Sequence, residues 1–279
     1  MLQKEERIRL EKFAAEIRIA TLDQIAVRGF GHLGGCMSMA DALSVLYGKQ
    51  MRIDPQNPAW PDRDWFICSK AHAGPVVYSA LALKGYFPMD WLQTLNQPGT
   101  HLPSHCDRNQ TPGIDMTAGS LGQGLSVAVG VALANKVDGR DNRVFCMVGD
   151  GESQEGQIWE AISYAAQMKL GKLVLFIDNN KQQIDKPTAE LNNMEDYEEK
   201  FRAFHWHVQR VDGHDVEAID AAIEAAGEVE DMPSAIILET IKGQGAPFAL
   251  DIWNHHINVS REDADSAIAL LREKIAALG

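Results

Sequence analysis

The chain reads as an α/β protein, a parallel sheet with helices on both faces. Three observations predict this: apolar runs of strand length recur, helix-like segments separate them, and polar Gly-, Asp- and Asn-rich loops follow several of them. The runs are WFICS (65–69), RVFCMVG (143–149), KLVLFID (172–178), HVQRV (207–211) and SAIILETI (234–241). Runs such as VLFI and AIIL are apolar at successive positions, as strands covered on both faces must be.

Taken in order, residues 3–28 place Ile8, Phe13, Ile17, Ala20, Ile25 and Val27 among charges, an amphipathic helix pattern. Gly29, Gly31, Gly34 and Gly35 end it and open a loop. A second helix is expected over 39–47, and the Pro-rich 54–61 is a connection. Further helices are expected over 124–136, 157–170 and 216–228, and a last one over 263–277 caps the fold. No repeat, low-complexity tract or linker divides the 279 residues, so a single domain over 1–279 is expected.

Composition narrows the function. A net charge of −13 argues against a nucleic-acid or anionic-membrane partner. Local N–H groups and a bound cation still allow an anionic ligand. Cys36, Cys68, Cys106 and Cys146 are widely spaced, with no CxxC pair, and read as buried reduced thiols. The charged start MLQKEERIRLEKF is unlike a signal peptide, and no apolar run approaches the roughly 18 residues of a membrane span. A cytoplasmic protein is expected.

The chemistry concentrates between Gly149 and Gln182. Ligands of such sheets bind outside the carboxyl ends of the strands, and GDGE follows one apolar run while DNNKQQ follows the next. Asp150 and Asn180 stand thirty residues apart (180 − 150), one strand–helix–strand unit, which brings the two strand ends together. A carboxylate, an amide oxygen and a nearby main-chain carbonyl are hard donors suited to Mg²⁺ or Ca²⁺. The flanking glycines let the backbone approach a ligand closely. Either motif alone is ordinary turn chemistry; the pair at this separation favours a site.

The segment GDGESQEGQIWEA…LFIDNNKQQID resembles the thiamine diphosphate motif, which opens on GDG and closes on an asparagine about thirty residues on. GHLGGCMS (31–38), SKAHAGPVVYS (69–79) and TAGSLGQGLS (117–126) narrow the resemblance to the transketolase family. It implies a thiamine diphosphate-binding fold, here the diphosphate-binding domain. It also implies thiamine diphosphate and Mg²⁺ (with Ca²⁺ or Mn²⁺ as substitutes) as cofactors. Asp150, the Asn180 side chain and the Gln182 carbonyl would hold the metal. An apolar residue is usual at the last position, but a carbonyl ligand barely depends on the side chain. Gly151, Asn180 and His72 would touch the diphosphate, Lys242, which matches the lysine of the family's KGxG turn, would bind the cofactor, and Gly119, Ser120 and Leu121 would line it.

The resemblance also assigns imidazoles, suited to proton traffic near neutral pH. His32 would hydrogen-bond substrate hydroxyls. Of His101 and His105, the latter lies 14 residues before Gly119, close to the family spacing, and is favoured for the donor's terminal hydroxyl. In KGQGAPFALDIWNHHI, Asn254 separates Trp253 from His255, so His255 and His256 compete for one role. His205, His207 and His214 read as packed or solvated side chains. Glu155, and less specifically Glu160, match acidic residues that link paired sites across a dimer interface.

The implied activity is ketol transfer, a two-carbon glycolaldehyde unit passing from a ketose to an aldose. The donor class stays open between a pentose or hexose phosphate and a branched or sulfonated sugar. The family's cofactor-activating glutamate belongs to a pyrimidine-binding domain that, with the C-terminal domain, the sequence does not contain. The Met1 start and helical finish favour a natural subunit over a truncation. A second subunit carrying those domains, and a heterotetramer of two chains of each kind, are therefore expected. Other readings are a 2-oxoacid dehydrogenase component, a deoxyxylulose phosphate synthase fragment, or an inert cofactor-binding subunit. The absence of GxxxxGK[ST] disfavours an NTP-binding enzyme.

Overall fold

The structure is a computed structural model and describes residues 2–184, 186–250 and 253–279. Along the chain run α1 (Lys4–Arg28), α2 (Leu33–Met37), α3 (Ala40–Val45), β1 (Trp65–Cys68) and α4 (Gly74–Lys84). Then come α5 (Gln123–Val137), β2 (Val144–Gly149), α6 (Gly156–Gln167), β3 (Leu173–Asn179) and α7 (Tyr197–Ala203). β4 (His207–Asp212), α8 (Val216–Gly227), β5 (Ser234–Glu239) and α9 (Arg261–Ala277) complete the principal elements.

The five strands form one sheet in the order β1-β2-β3-β5-β4, every pair parallel. All residues of β2 and β3 are buried, and successive side chains serve opposite faces. Phe145, Met147, Val174, Phe176, Ile236 and Leu238 join the core made with α1, α3, α4, α8 and α9. Cys146, Val148, Leu175, Ile177, Ala235 and Ile237 join a second core with α5, α6 and α7. The expected two-faced parallel sheet is therefore present. No helix among the described residues is long and apolar enough to cross a membrane. All four cysteines are buried and free.

Local punctuation matches local chemistry. Gly29, at φ 88°, accepts the left-handed turn that ends α1. α4, which the alternation of runs left unassigned, starts at Gly74-Pro75, where proline's fixed φ suits a first turn. The helix expected over 39–47 is split: α3 stops at Val45 and a π turn covers Leu46–Gln50. There Gly48 is pressed against α1, and a Cβ on it would meet Leu10 at 2.7 Å.

Candidate functional site

At the carboxyl edge of the sheet the loops after β1, β2, β3 and β5 meet around a cavity of about 250 Å³. Its walls include Asp150, Asn180, Gln182, Lys242 and the imidazoles of His32, His72, His105 and His255. The chain reaches this point from distant segments because a buried carboxylate, Asp178, ties four of them together. Asp178 accepts from Ser38 Oγ at 2.7 Å and from Asn180 Nδ2 at 2.9 Å, and also from Thr240 Oγ1 and the Lys70 ammonium. Lys70 in turn donates to the Gly35 carbonyl at 2.8 Å. Burial opposes the Asp178 charge, but Lys70 outweighs it and holds the carboxyl below its ordinary range.

The three oxygen donors sit within this frame. Asp150 is buried and accepts from its neighbour Gly151 N–H at 2.7 Å and from the Lys181 N–H at 2.5 Å. Burial, with the nearby Asp178 charge, pushes its carboxyl up to about 7. A carboxylate so placed is short of positive charge. Asp178 takes the Asn180 amide N–H, which leaves Asn180 Oδ1 as the free acceptor; it receives the Gln182 N–H at 3.2 Å. The Gln182 carbonyl accepts from Lys242 Nζ at 3.2 Å, while the side-chain oxygens of Gln182 and Gln183 are buried without partners. These hard donors, with one carboxylate still wanting a cation, fit a Mg²⁺ ion. The set has one carboxylate, and no group of three or more His, Cys, Asp or Glu side chains placed to hold a metal ion is found among the described residues.

Backbone shape at the mouth is equally specific. A Cβ on Gly151 would meet the Gln183 side chain at 2.9 Å. A carboxylate not singled out by sequence, Glu152, is buried and accepts from Ser69 Oγ at 2.5 Å, Gly122 N–H at 2.8 Å and Gly149 N–H at 3.0 Å. It thus joins the SKAH, LGQG and GDG segments. Gly119 lies against His105, and Ser120 and Leu121 are open to solvent beside it. α6 starts at Gly156 after a short 3-10 turn over Glu152–Gln154.

The imidazoles cluster around His32. Its ring centroid is 5.4 Å from His72, 5.7 Å from His105, 5.1 Å from His255 and 4.7 Å from His256. Burial, then the neighbouring imidazoles His255, His256 and His105, lower His32 to about 4. Burial, Lys242 and His256 lower His255 to about 4 as well. Burial holds His72 well below its ordinary value and also lowers His105. The cavity therefore presents neutral rings, able to give or take a proton. Burial brings Lys242 down to about 8, against the opposing pull of Asp150.

The competing candidates separate in space. His255 lines the cavity, whereas His256 packs against Phe30, ring centroids 5.5 Å apart, in a neighbouring crevice. His105 lines the cavity, while His101 stacks on Trp91 at 4.3 Å. Asn254, which interrupts the Trp–His pair, is fully buried: its Nδ2 donates to the Lys242 and Ala249 carbonyls and its own carbonyl accepts from Gly34 N–H. It fastens the KGQG turn to the histidine loop. Asp251 and Ile252 of that segment lie outside the described residues. Glu155 is exposed at the cavity rim, and Glu160 lines a separate open groove of about 1210 Å³ with Trp159, Tyr164 and Phe204.

Known proteins resemble the chain in sequence and in fold. Residues 10–275 match the family described as transketolase, thiamine diphosphate binding domain. The chain is 50% identical over 97% of its length to the 6-deoxy-6-sulfo-D-fructose transketolase subunit SqwG of Clostridium sp. (strain MSTE9), covering 98% of that protein. It is 37% identical to transketolase 1 of Escherichia coli (strain K12) over 95% of this chain, but covers 41% of that enzyme. Among solved structures, a transketolase variant from Pichia stipitis superposes with a TM-score of 0.87 at 31% identity, over 96% of this chain and 44% of that one. The chain thus covers nearly all of one relative and less than half of the longer ones. With the family match over most of its length and the shared fold, the chain belongs to the transketolase family, as a thiamine diphosphate-binding domain.

Proposed function

We propose that this chain is the diphosphate-binding half of a two-chain transketolase, and that it moves a two-carbon ketol unit from a ketose to an aldose. The observation that carries the reading is one cavity holding Asp150, Asn180, Gln182, Lys242 and four imidazoles. Asp150, Asn180 Oδ1 and the Gln182 carbonyl would hold Mg²⁺. Gly151, His72, Asn180 and Lys242 would hold the diphosphate. Gly119, Ser120 and Leu121 would border the rest of the cofactor. When bound, thiamine diphosphate supplies the carbon nucleophile and the electron sink for cleaving a bond next to a carbonyl.

The chain's own residues then bind, orient and move protons. His32 and His105 reach sugar hydroxyls as neutral donors or acceptors, and His255, the one of its pair that lines the cavity, serves beside them. The 98% coverage of a named subunit, against 41% of a longer transketolase, supports a partner chain that brings the remaining domains. A heterotetramer, with like chains meeting near Glu155, and a cytoplasmic location belong to the same reading. The 50% identity to a sulfofructose transketolase subunit supports a ketose ending in a sulfonate as donor. The test is co-expression with the partner chain and assay of ketose cleavage with 6-deoxy-6-sulfo-D-fructose and with fructose 6-phosphate. Preferential cleavage of the sulfonate supports the proposal. Cleavage of neither overturns the activity, and preference for the phosphate overturns the donor.

A further inference from the structure

Arg18, Asp41 and His214 form a polar cluster behind the KGQG turn, and none of the three lines the cavity. Asp41 accepts from Arg18 at 3.0 Å, through the Nη1 group, and lies 2.8 Å from His214 Nδ1. Burial raises the Asp41 carboxyl, but Arg18 and His214 outweigh it and hold it well below the usual range. His214 Nε2 meets the Ile241 N–H at 2.9 Å. A backbone N–H can only donate, so Nε2 is the acceptor and Nδ1 carries the proton toward Asp41. Both ring nitrogens are thereby assigned.

This cluster grips the chain on both sides of Lys242. His214 holds the N–H of Ile241, the residue before it. Arg18 Nε holds the carbonyl of Gln244, two residues after it, at 3.0 Å. The other Arg18 nitrogen reaches the Met37 carbonyl at 3.2 Å, at the end of the helix that follows His32. Between the two grips the turn passes through Gly243 at φ +90°, and Asn254 takes the Lys242 carbonyl. Lys242, held through its own carbonyl and its neighbours, extends Nζ to the Gln182 carbonyl.

We infer that His214 is a positioning residue: its Nδ1–H tautomer, set by Asp41 and Arg18, fixes the backbone from which Lys242 reaches the diphosphate. The inference rests on the reading of Lys242 as a diphosphate contact. The experiment is a double-mutant cycle on the full chain, read as affinity for thiamine diphosphate with Mg²⁺ by calorimetry. His214→Phe keeps the ring and removes both hydrogen bonds; it is expected to weaken binding about tenfold. His214→Gln, whose amide can donate to Asp41 and accept from Ile241, should recover most of that loss. In a Lys242→Met background, His214→Phe should change affinity by less than about twofold.

An equal loss in both backgrounds, or no loss in His214→Phe alone, overturns the inference while leaving the Lys242 contact standing. Wild-type affinity in Lys242→Met alone overturns the contact itself and the inference with it. Should His214→Phe not fold, the same cycle with His214→Leu and Asp41→Asn decides between these outcomes.

Discussion

Asn180 Nδ2 lies 2.9 Å from Asp178 Oδ2, and this bond commits the amide nitrogen to the carboxylate and leaves its oxygen as an acceptor. Asp178 is also the partner of the buried Lys70 ammonium. Asp178→Ala removes both, leaving a buried cation unpaired. The expected cost is about 3–5 kcal/mol of unfolding free energy, read from urea denaturation of the metal-free chain. A cost below about 1 kcal/mol would mean that the hub does not hold the loops together.

Glu152 satisfies two backbone N–H groups and one hydroxyl from three separate loops. Burial raises its carboxyl, and the three donors work to lower it. Glu152→Ala strands these donors, at about 1–3 kcal/mol for a buried group left without a partner. A melting curve should show the loss, and cofactor affinity should fall with it. An unchanged melting temperature would show that water replaces the carboxylate at no cost.

Gly34 has no room for a side chain. A Cβ there would lie 2.1 Å from Asn254 Oδ1 and 2.7 Å from the Asn254 carbonyl. Gly34→Ala should destabilise by about 1–3 kcal/mol and displace His32 and Lys242 together, because Gly34 bonds to both Asn254 and Gly243. A crystal structure of the variant with the KGQG turn unmoved would contradict this coupling.

The histidines make stability depend on pH. His32 and His255 fall from 6.5 to about 4 on folding. The unfolded chain therefore binds protons between pH 6.5 and 4 that the folded chain refuses, so stability present above pH 6.5 is lost as pH falls toward 4. In urea titrations, the double variant His32→Asn, His255→Asn should lose less stability between pH 7 and 4.5 than the wild type. Equal losses would show that these rings do not carry the effect.

Much of this was legible in sequence. Runs apolar at every position marked the buried strands, and Asp150 and Asn180, placed after two of them, line one cavity. Gly74-Pro75 carried a helix-start signal, yet α4 was not expected, because its apolar residues show no polar face. Asp178 was visible as a carboxylate ending the apolar run KLVLFI, but what it ties together depends on Ser38, Lys70 and Thr240, far away in the chain. Glu152 was not singled out, because its three donors come from separate loops. His214 read as a packed or solvated side chain, since a neighbour such as Asp41 from α3 leaves no trace in local pattern. The choice of His255 over His256 for the cavity turns on side-chain direction after Asn254, which spacing alone does not encode.

In the proposed site Asp150 and Asn180 hold a divalent cation, and through it a diphosphate. Calorimetric titration of thiamine diphosphate into the full chain, with and without Mg²⁺, tests it when wild type is compared with Asp150→Ala and Asn180→Ala. The expected result is Mg²⁺-dependent binding by the wild type, weakened at least about a hundredfold in either variant, roughly 2.7 kcal/mol. Equal affinity in all three proteins, or binding indifferent to Mg²⁺, would contradict it.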